Sequence, residues 1–593
     1  MDLSSGQAER MPSDEAQEHR TLEPCLLRST GCSWLVVLAA VAASLSGLML
    51  GYEMGLTSGV LLQLRGLLSL SCREQELLVS SHLLGSLLIC LTGGPVLDRY
   101  GRRCSMLLGA AAVVAGTVVS VAVASLPALM TGRAVIGVGT ALSGTAACLY
   151  IAEISPQERR GLLVTLYELM LVVGVLLGFS CSYAFAALPD GWRYTFGLVT
   201  PVALLQFAGL LLLPPSPRFL VARGRVESAR GVLTRLRGGG GCGGGDGGDV
   251  DAELRDIRAG LKDESEHGFR ELFGGKANLR RRLLTGAALV FLQQVTGQPN
   301  VLSYASPLLH SVGFNSAAAA TLASTGFGVV KVVGTLPAVL LVDRVGPKSF
   351  LCAGAVAMGI SLVTLGVVTS QSHTHLTSLC QSPPGLNRSD GVAGMNYTRH
   401  VTLDDSLPAR WNGSGGGGVG DLSPAAVTGA TKTRGREAGE EGAGNGSAVS
   451  YTLKWVSLIS LLVYVAAFSV SLGPMVYVVI SEIFPTGVRG KAVSVVSAVN
   501  WATNLLISMT FLTVTETIGV SSVMFLYAAM SFVLLVFVIL CVPETRGRTL
   551  EQISKELAMK KHFDLRFCKR VQPQQREAER SLKSTDTPGN LTL

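Results

Sequence analysis

Charged residues are scarce in this chain of 593 residues. Only 15% of the sequence is Asp, Glu, Lys or Arg, whereas 48% is hydrophobic. Soluble globular proteins carry about a quarter charged residues, so the deficit excludes an ordinary soluble protein and indicates a membrane protein. The net charge is +8, but the basic residues are dispersed among apolar runs, which argues against a nucleic-acid partner.

Motifs for cofactor chemistry are missing too. The glycine-rich run at 238–249 lacks the following Lys and Ser or Thr that a phosphate-binding loop needs, so it predicts a flexible linker between short cytoplasmic helices. GVGTALSG at 137–144 mimics a dinucleotide fingerprint but lies in an apolar span, where glycines let helices approach closely. We expect no cofactor, no metal and no enzymatic activity.

Neither a cleaved signal peptide nor a clear disulfide framework is indicated. The N-terminal residues are acidic and polar up to about Arg28, which is not the pattern of a signal peptide. Most of the 12 cysteines lie in apolar runs, where they act as small hydrophobes. Cys72 and Cys380 fall in predicted outer loops, and spacing leaves their pairing open.

Apolar segments of about 20 residues recur along the chain, and each is long enough to cross a bilayer. Six lie on each side of a polar interval. The predicted spans are 34–60, 77–97, 104–124, 127–151, 161–185, 193–213, 282–310, 317–342, 349–369, 453–481, 490–513 and 520–542. The predicted organisation is a tail at 1–33, bundles at 34–213 and 282–542, a linker at 214–281, a loop at 370–452 within the second bundle, and a tail at 543–593.

Basic residues cluster in alternate short loops, and the other short loops are nearly bare of Lys and Arg. The positive-inside rule therefore puts both tails and the 214–281 interval in the cytoplasm. The 370–452 loop then lies outside, and it independently carries four glycosylation sequons. These sequons are at Asn387, Asn396, Asn412 and Asn445.

Two halves of the chain repeat the same motifs. GGPVLDRYGRR at 93–103 matches AVLLVDRVGPK at 338–348, and IAEISPQERRG at 151–161 matches ISEIFPTGVRG at 480–490. Such halves imply a pseudo-two-fold axis along the membrane normal, with a site between them. With these motifs the chain resembles a sugar porter of the major facilitator superfamily, over nearly its whole length between the tails. The resemblance implies an all-α membrane protein with twelve helices in two pseudo-symmetric six-helix bundles.

Carboxylates and arginines recur together at the predicted inner ends of the spans in both halves. Arg–carboxylate pairs are directional, so the cluster can latch two bundles in one state. The resemblance implies that this latch breaks when the carrier opens inward. The alternative is a solvated face, because exposed pairs contribute only about 0–1 kcal/mol. The residues are Asp98, Arg102, Arg103, Glu153, Arg160, Asp343, Arg344, Glu482 and Arg489.

The stretch FLQQVTGQPNVLSYAS at 291–306 places polar side chains inside the seventh predicted span. Such side chains are costly in hydrocarbon unless they face a bundle interior or a water-filled cavity. Gly297 and Pro299 also interrupt the helix, and a broken membrane helix needs neighbours or water for its free backbone groups. The pattern predicts a binding site near the membrane midplane.

Amide side chains are the predicted sugar ligands, because they donate and accept hydrogen bonds at once. By resemblance, five residues match the family's sugar-contact positions: Gln293, Gln294, Asn500, Trp501 and Asn504. Asn300 is a further candidate, although Pro299 occupies the family's asparagine position. In the alternative, these amides only bond neighbouring helices.

Glu53 and Arg133 are ionisable residues in the first and fourth predicted spans. An intramembrane carboxylate is a functional candidate, and a proton is its natural ligand. By resemblance, proton-coupled relatives carry an aspartate at position 53 and the partner arginine at position 133, whereas passive uniporters are neutral at position 53. A partner that moves would let Glu53 load and release a proton. The alternative is a static ion pair that joins two helices.

Glu168 and Lys331 stand where the resemblance implies glutamine and asparagine in the sugar site. An unpaired charge at either position would be costly, so we hypothesise that they pair across the two halves. Such a pair would tie sugar binding to closure or to protonation. Alternatively, each of them faces cavity water alone.

The sequence therefore predicts a glucose-type hexose transporter that works by alternating access, either as a proton symporter or as a facilitative uniporter. The open alternatives are a carrier of another small polar solute, such as a polyol or organic anion, and a sugar sensor that does not translocate. The expected partners are a small-molecule sugar, protons, the lipid bilayer and trafficking machinery. We expect a multi-pass protein of the plasma membrane, with endosomal or perinuclear compartments if Leu26–Leu27 is a sorting signal.

We expect peptide N-glycosidase to lower the apparent mass of the protein on a denaturing gel, because the outer-loop sequons receive glycans. Replacing all four outer-loop asparagines with Gln removes this mass shift. Asn590→Gln, which removes the sequon of the inner tail, is the control and leaves the shift unchanged. A shift that persists in the quadruple variant and disappears in the control would reverse the assigned orientation.

Overall fold

A computed structural model describes residues 34–156, 159–237, 247–266, 269–274, 278–311, 314, 317–371 and 441–545. Regular structure within these ranges is entirely helical, which confirms the all-α fold. The first bundle contains α1 (Trp34–Leu68), α2 (Cys72–Tyr100), α3 (Arg102–Ala122), α4 (Leu126–Ile154), α5 (Arg160–Ala184), α6 (Gly191–Gly197) and α7 (Val199–Leu212).

The linker and the second bundle follow in the chain. The linker contains α8 (Pro217–Ala222), α9 (Val226–Leu236), α10 (Gly247–Glu266) and a short 3₁₀ helix (Phe269–Phe273). The second bundle contains α11 (Leu279–Val295), α12 (Gln298–Ser303), α13 (Ala305–Ser311), α14 (Ala317–Val345), α15 (Pro347–Gln371), α16 (Glu441–Val470), α17 (Leu472–Ile483), α18 (Thr486–Ile518) and α19 (Val520–Cys541).

Eleven segments of the described chain are long and apolar enough to cross a membrane. The remaining predicted span, 282–310, is divided among α11, α12 and α13. The sixth span is divided between α6 and α7, and the tenth between α16 and α17. Several helices extend past the predicted span edges, as α2 does beyond 77–97, because hydropathy marks only the apolar centre of a span.

Residues 382–452, most of the predicted outer loop, separate from the rest of the chain as a second compact unit. Its described part is 441–452, where α16 begins. Asn387, Asn396 and Asn412 lie outside the described residues, as does the side chain of Asn445. Cys72 is disulfide-bonded, but Cys380 also lies outside the described residues, so the structure does not test whether these two cysteines pair.

The internal repeat has a backbone counterpart. Gly101 joins α2 to α3 with φ +82°, and Gly346 joins α14 to α15 with φ +88°. A positive φ favours glycine, so the repeated motif places a glycine with positive φ at the same point in both halves. The contacts between the bundles are also symmetric, because α2 packs on α18 and α5 packs on α14. The predicted pseudo-two-fold arrangement is therefore present in the fold.

Two glycine-rich runs can be compared with their predictions. In α4, a Cβ on Gly137 would lie only 2.0 Å from the carbonyl oxygen of His82 on α2. This close contact confirms that the 137–144 run packs helices. The linker run is shorter than predicted, because α10 already begins at Gly247, while 238–246 lie outside the described residues.

The seventh span breaks at Gly297, which has φ +93°. A Cβ at this position would lie 2.3 Å from the ring of Tyr527 on α19. The carbonyl of Thr296, at the break, accepts a hydrogen bond from the Tyr464 hydroxyl at 3.1 Å. The break is therefore tightly packed and its backbone is partly satisfied by a neighbouring helix.

We expect Gly297→Ala to destabilise the protein by about 2–5 kcal/mol, because alanine is strained at this φ and its methyl group overlaps Tyr527. The midpoint of thermal aggregation of the detergent-solubilised protein measures this effect. Gly66→Ala is the control, since a Cβ there meets nothing within 4 Å. Equal midpoints for the two variants would show that the break tolerates a side chain.

Candidate functional site

The end of α11 presents two glutamines toward other helices of the second bundle. The Nε2 group of Gln293 donates to the carbonyl oxygen of Leu472, 2.8 Å away, at the break between α16 and α17. Gln294 donates from Nε2 to the Oδ1 atom of Asn500 on α18. Both Oε1 atoms are buried and accept no hydrogen bond from the described residues. Each glutamine therefore uses its donor within the protein and keeps its acceptor free.

Asn300 ties α12 to two other helices. Its Nδ2 group donates to the Ile507 carbonyl at 3.2 Å and to the Tyr527 hydroxyl at 2.8 Å. Its side chain is fully buried, and its Oδ1 atom accepts no hydrogen bond from the described residues. Tyr527 was not a candidate from the sequence, because a tyrosine in an apolar span gives no distinctive signal.

A cavity of about 30 Å³ lies where the two bundles meet. It has room for one or two water molecules. Asn504 lines it from α18 and accepts a hydrogen bond from the Ser508 hydroxyl at 3.3 Å. Trp501 is half-buried, one turn earlier on the same helix. Pro299 and Ser303 of α12 line the cavity from the broken seventh span.

The same cavity is lined by Glu53 and Arg133. The Nη1 atom of Arg133 lies 4.0 Å from Oε2 of Glu53, and its Nη2 group donates to the Thr57 hydroxyl at 2.9 Å. Neither carboxylate oxygen of Glu53 accepts a hydrogen bond from the described residues, although the side chain is fully buried. The structure brings the two residues together, but only as a loose ion pair.

His82 of α2 is a cavity residue that the sequence analysis missed. Its Nε2 atom lies 3.2 Å from the Thr140 hydroxyl of α4, within hydrogen-bond distance. The available signal was the presence of an ionisable residue within the predicted span 77–97. The cavity therefore contains a carboxylate, a guanidinium and an imidazole beside a candidate sugar amide.

Glu168 and Lys331 lie on α5 and α14, the helices that join the bundles. Each is an electrostatic partner of the other, but they do not form an ion pair within 4.0 Å. The Lys331 ammonium is buried and lies 5.7 Å from the centre of the Phe468 ring. Tyr477 is 43% exposed and is also an electrostatic neighbour of Glu168.

The cluster of carboxylates and arginines predicted at the inner ends of the spans contains close contacts in the first bundle. Arg102 lies 3.1 Å from Glu153 and 3.8 Å from Asp98, both in its own bundle. Arg103 donates to the Leu211 carbonyl at 2.8 Å, whereas the side chain of Arg160 is exposed.

In the second bundle, Arg489 donates to the Phe484 carbonyl, and Glu482 is its electrostatic partner. The side chains of Asp343 and Arg344 lie outside the described residues.

A family model described as "Sugar (and other) transporter" matches residues 39–381 and 442–557. The chain belongs to this transporter family. The chain is 52% identical to the zebrafish (Danio rerio) solute carrier family 2, facilitated glucose transporter member 12, over 89% of each chain. The human protein of that name is 46% identical over 91% of this chain and 88% of its own length.

A solved structure of a sugar-transporter family member is similar as well. The inward-open conformation of the xylose transporter XylE from E. coli has a TM-score of 0.63 and 25% sequence identity, and the match covers 88% of this chain and 99% of that one. These similarities confirm the resemblance to a major facilitator sugar porter and establish a non-enzymatic, multi-pass membrane protein.

We expect Glu168→Lys and Lys331→Glu each to reduce transport on the order of ten-fold or more, because each leaves two like charges near one another. The double variant restores the attraction and recovers part of the uptake. Initial rates of labelled glucose uptake, normalised to surface protein, measure this. Glu516→Lys, at an exposed position on α18, is the control for charge reversal. A double variant no better than either single variant would show that the two residues do not act as a pair.

Proposed function

We propose that this protein is a hexose carrier of the glucose type that works by alternating access. Binding of the sugar shifts the populations of outward- and inward-facing states, and no covalent chemistry is required. The substrate contacts would come from Gln293, Gln294, Asn500, Trp501 and Asn504, with Asn300 behind them on α12.

The observation that carries this proposal is the pair of buried acceptor oxygens on Gln293 and Gln294. Unsatisfied buried acceptors are costly, and a ligand rich in hydroxyl donors would satisfy them. A neutral polyol fits this requirement better than an anion, which presents acceptors of its own. Asn300, being fully buried and bonded through both amide hydrogens, would support α12 rather than contact the sugar first.

The named relatives support a monosaccharide substrate, because they are described as facilitated glucose transporters and a xylose transporter. The buried ammonium of Lys331 keeps a small organic anion as a second candidate, since that charge has no carboxylate within 4.0 Å among the described residues. A sensor that binds sugar without translocating it is the alternative from another functional class.

Proton coupling is a further part of the proposal, and Glu53 carries it. Its carboxylate is fully buried, lies 4.0 Å from Arg133, and borders a cavity with room for one or two water molecules. A loosely held carboxylate can exchange its cation for a proton more easily than one fixed by short hydrogen bonds. The competing view is facilitative uniport, in which Glu53 and Arg133 only join α1 to α4.

The protein would work in the plasma membrane, with cycling through endosomal or perinuclear compartments if trafficking proteins bind the Leu26–Leu27 pair. Its partners would be the sugar, protons and the lipid bilayer.

We measure labelled glucose uptake in cells that lack their own carriers. We expect uptake to increase when the outside pH is lowered from about 7.5 to about 5.5 and to be abolished by a protonophore, because a proton bound to Glu53 accompanies the sugar. Glu53→Gln removes this pH response, since glutamine cannot exchange a proton. Glu516→Gln, which removes an exposed carboxylate from α18, keeps the response of the parent protein.

Equal uptake under all conditions would identify a uniporter and leave Glu53 as a structural residue. Absence of uptake at normal surface expression would contradict glucose transport, and uptake of labelled polyols or organic anions would then identify the substrate class. Binding of glucose without any flux would identify a sensor.

A further inference from the structure

A buried carboxylate joins the two bundles at the side opposite the basic loops. Glu76 of α2 is only 4% exposed. Its Oε1 atom accepts a hydrogen bond from the backbone N–H of Thr513 at 2.7 Å, and its Oε2 atom accepts one from the Thr513 hydroxyl at 2.8 Å. Thr513 belongs to α18, so both oxygens of one carboxylate hold one residue of the other bundle.

We propose that Glu76 is a positioning residue of the transport cycle. It holds the outer half of α18 against α2 and thereby stabilises the states in which the outer side is closed. We call this contact the outer latch (Glu76 with Thr513).

The position of the latch follows from the orientation of the helices. Glu76 lies in the first turns of α2, which begins at Cys72, after a loop that charge asymmetry places outside. Thr513 lies near the outer end of α18, which stops at Ile518. The latch therefore sits at the outer edge of the interface between α2 and α18.

Glu76 is not needed to cap its own helix. Ser71 and Glu74 already form a capping box at the start of α2, with the Ser71 N–H donating to Glu74 at 2.8 Å. The amide of Thr513 lies inside α18, where a donor ordinarily serves the helix's own hydrogen-bond ladder. The contact thus connects the bundles rather than completing a helix end.

The outer latch is stronger than a neighbouring outer contact. The Ser58 hydroxyl of α1 meets the Ser306 hydroxyl of α13 at 2.9 Å, which is a bond between neutral groups. Hydrogen bonds to a carboxylate are roughly twice as strong as neutral ones. Tyr304, an electrostatic neighbour of Glu76, donates to the Ser508 carbonyl at 3.1 Å and reinforces the same surface of α18.

Alternating access requires this contact to break. The bundles rock against each other around a fixed site, so the outer ends of α2 and α18 separate in the outward-open state. Removing the outer latch lowers the stability of the outward-closed states alone, and the population shifts toward outward-open. Two bonds to a charged acceptor correspond to a shift on the order of a hundred-fold.

The test measures how fast the central cavity is reached from outside. Met54, which lines the cavity from α1, is replaced by cysteine as a reporter in the full-length protein. The rate of its reaction with a charged, membrane-impermeant thiol reagent added outside is then measured in intact cells. The same chain without Met54→Cys gives the background from the native cysteines.

Glu76→Ala raises the external labelling rate on the order of a hundred-fold. Glu76→Gln raises it less, because one amide oxygen can still accept a hydrogen bond. Thr513→Val also raises it less, because the backbone N–H remains. The Glu76→Ala/Thr513→Val double variant labels at the rate of Glu76→Ala alone, since the hydroxyl of Thr513 has already lost its acceptor.

Glu74→Gln is the matched control, because it removes a carboxylate from the same helix end while glutamine preserves a capping box. It labels at the parent rate. Unchanged labelling in Glu76→Gln and Thr513→Val at normal surface amounts, or an equal rise in Glu74→Gln, would overturn the proposal. Labelling needs no substrate and no proton gradient, so this outcome is independent of the uptake experiment.

Discussion

Backbone groups left unpaired inside a membrane are the constraint on which this structure depends, because hydrocarbon offers them no partner. The seventh and tenth spans both break, and each break is contacted by a side chain from the other span. Tyr464 of α16 donates to the carbonyl of Thr296 in the seventh span, and Gln293 of α11 donates to the carbonyl of Leu472 in the tenth. Gln293 therefore contacts one break through its amide N–H, while its acceptor oxygen stays available for the proposed sugar contact.

Buried charges are arranged differently near the inner end of the molecule and near its middle. Near the inner end, Arg102 and Glu153 form a short ion pair at 3.1 Å within one bundle. A contact within one bundle can persist when that bundle moves as a rigid body. Near the midplane, Glu53 and Arg133 are held at 4.0 Å beside a cavity, and Glu168 interacts with Lys331 only at longer range. Charges without short hydrogen bonds exchange partners at lower cost, which suits groups that respond to substrate or protons.

The proposed outer latch and part of the candidate site lie on the same helix. Glu76 contacts Thr513 on α18, the helix that also carries Asn500 and Asn504. A movement of the outer end of α18 would therefore act on the helix that carries two of the candidate sugar ligands. One helix is therefore enough to couple closure of the outer side to sugar binding, because a packed helix moves largely as a rigid element.

The sequence by itself determined the membrane class, the repeated halves and the broken seventh span, and it predicts which side faces the cytoplasm. These follow from apolar run length, charge asymmetry and the positions of Gly297 and Pro299, which are properties of short segments. Tertiary structure decided which groups meet. Gln294 contacts Asn500, His82 enters the cavity of Glu53 and Arg133, and Glu76 joins Thr513 across 437 positions of the chain. Such pairings depend on how helices rotate and cross, and hydropathy carries no information about the partner that a polar side chain finds.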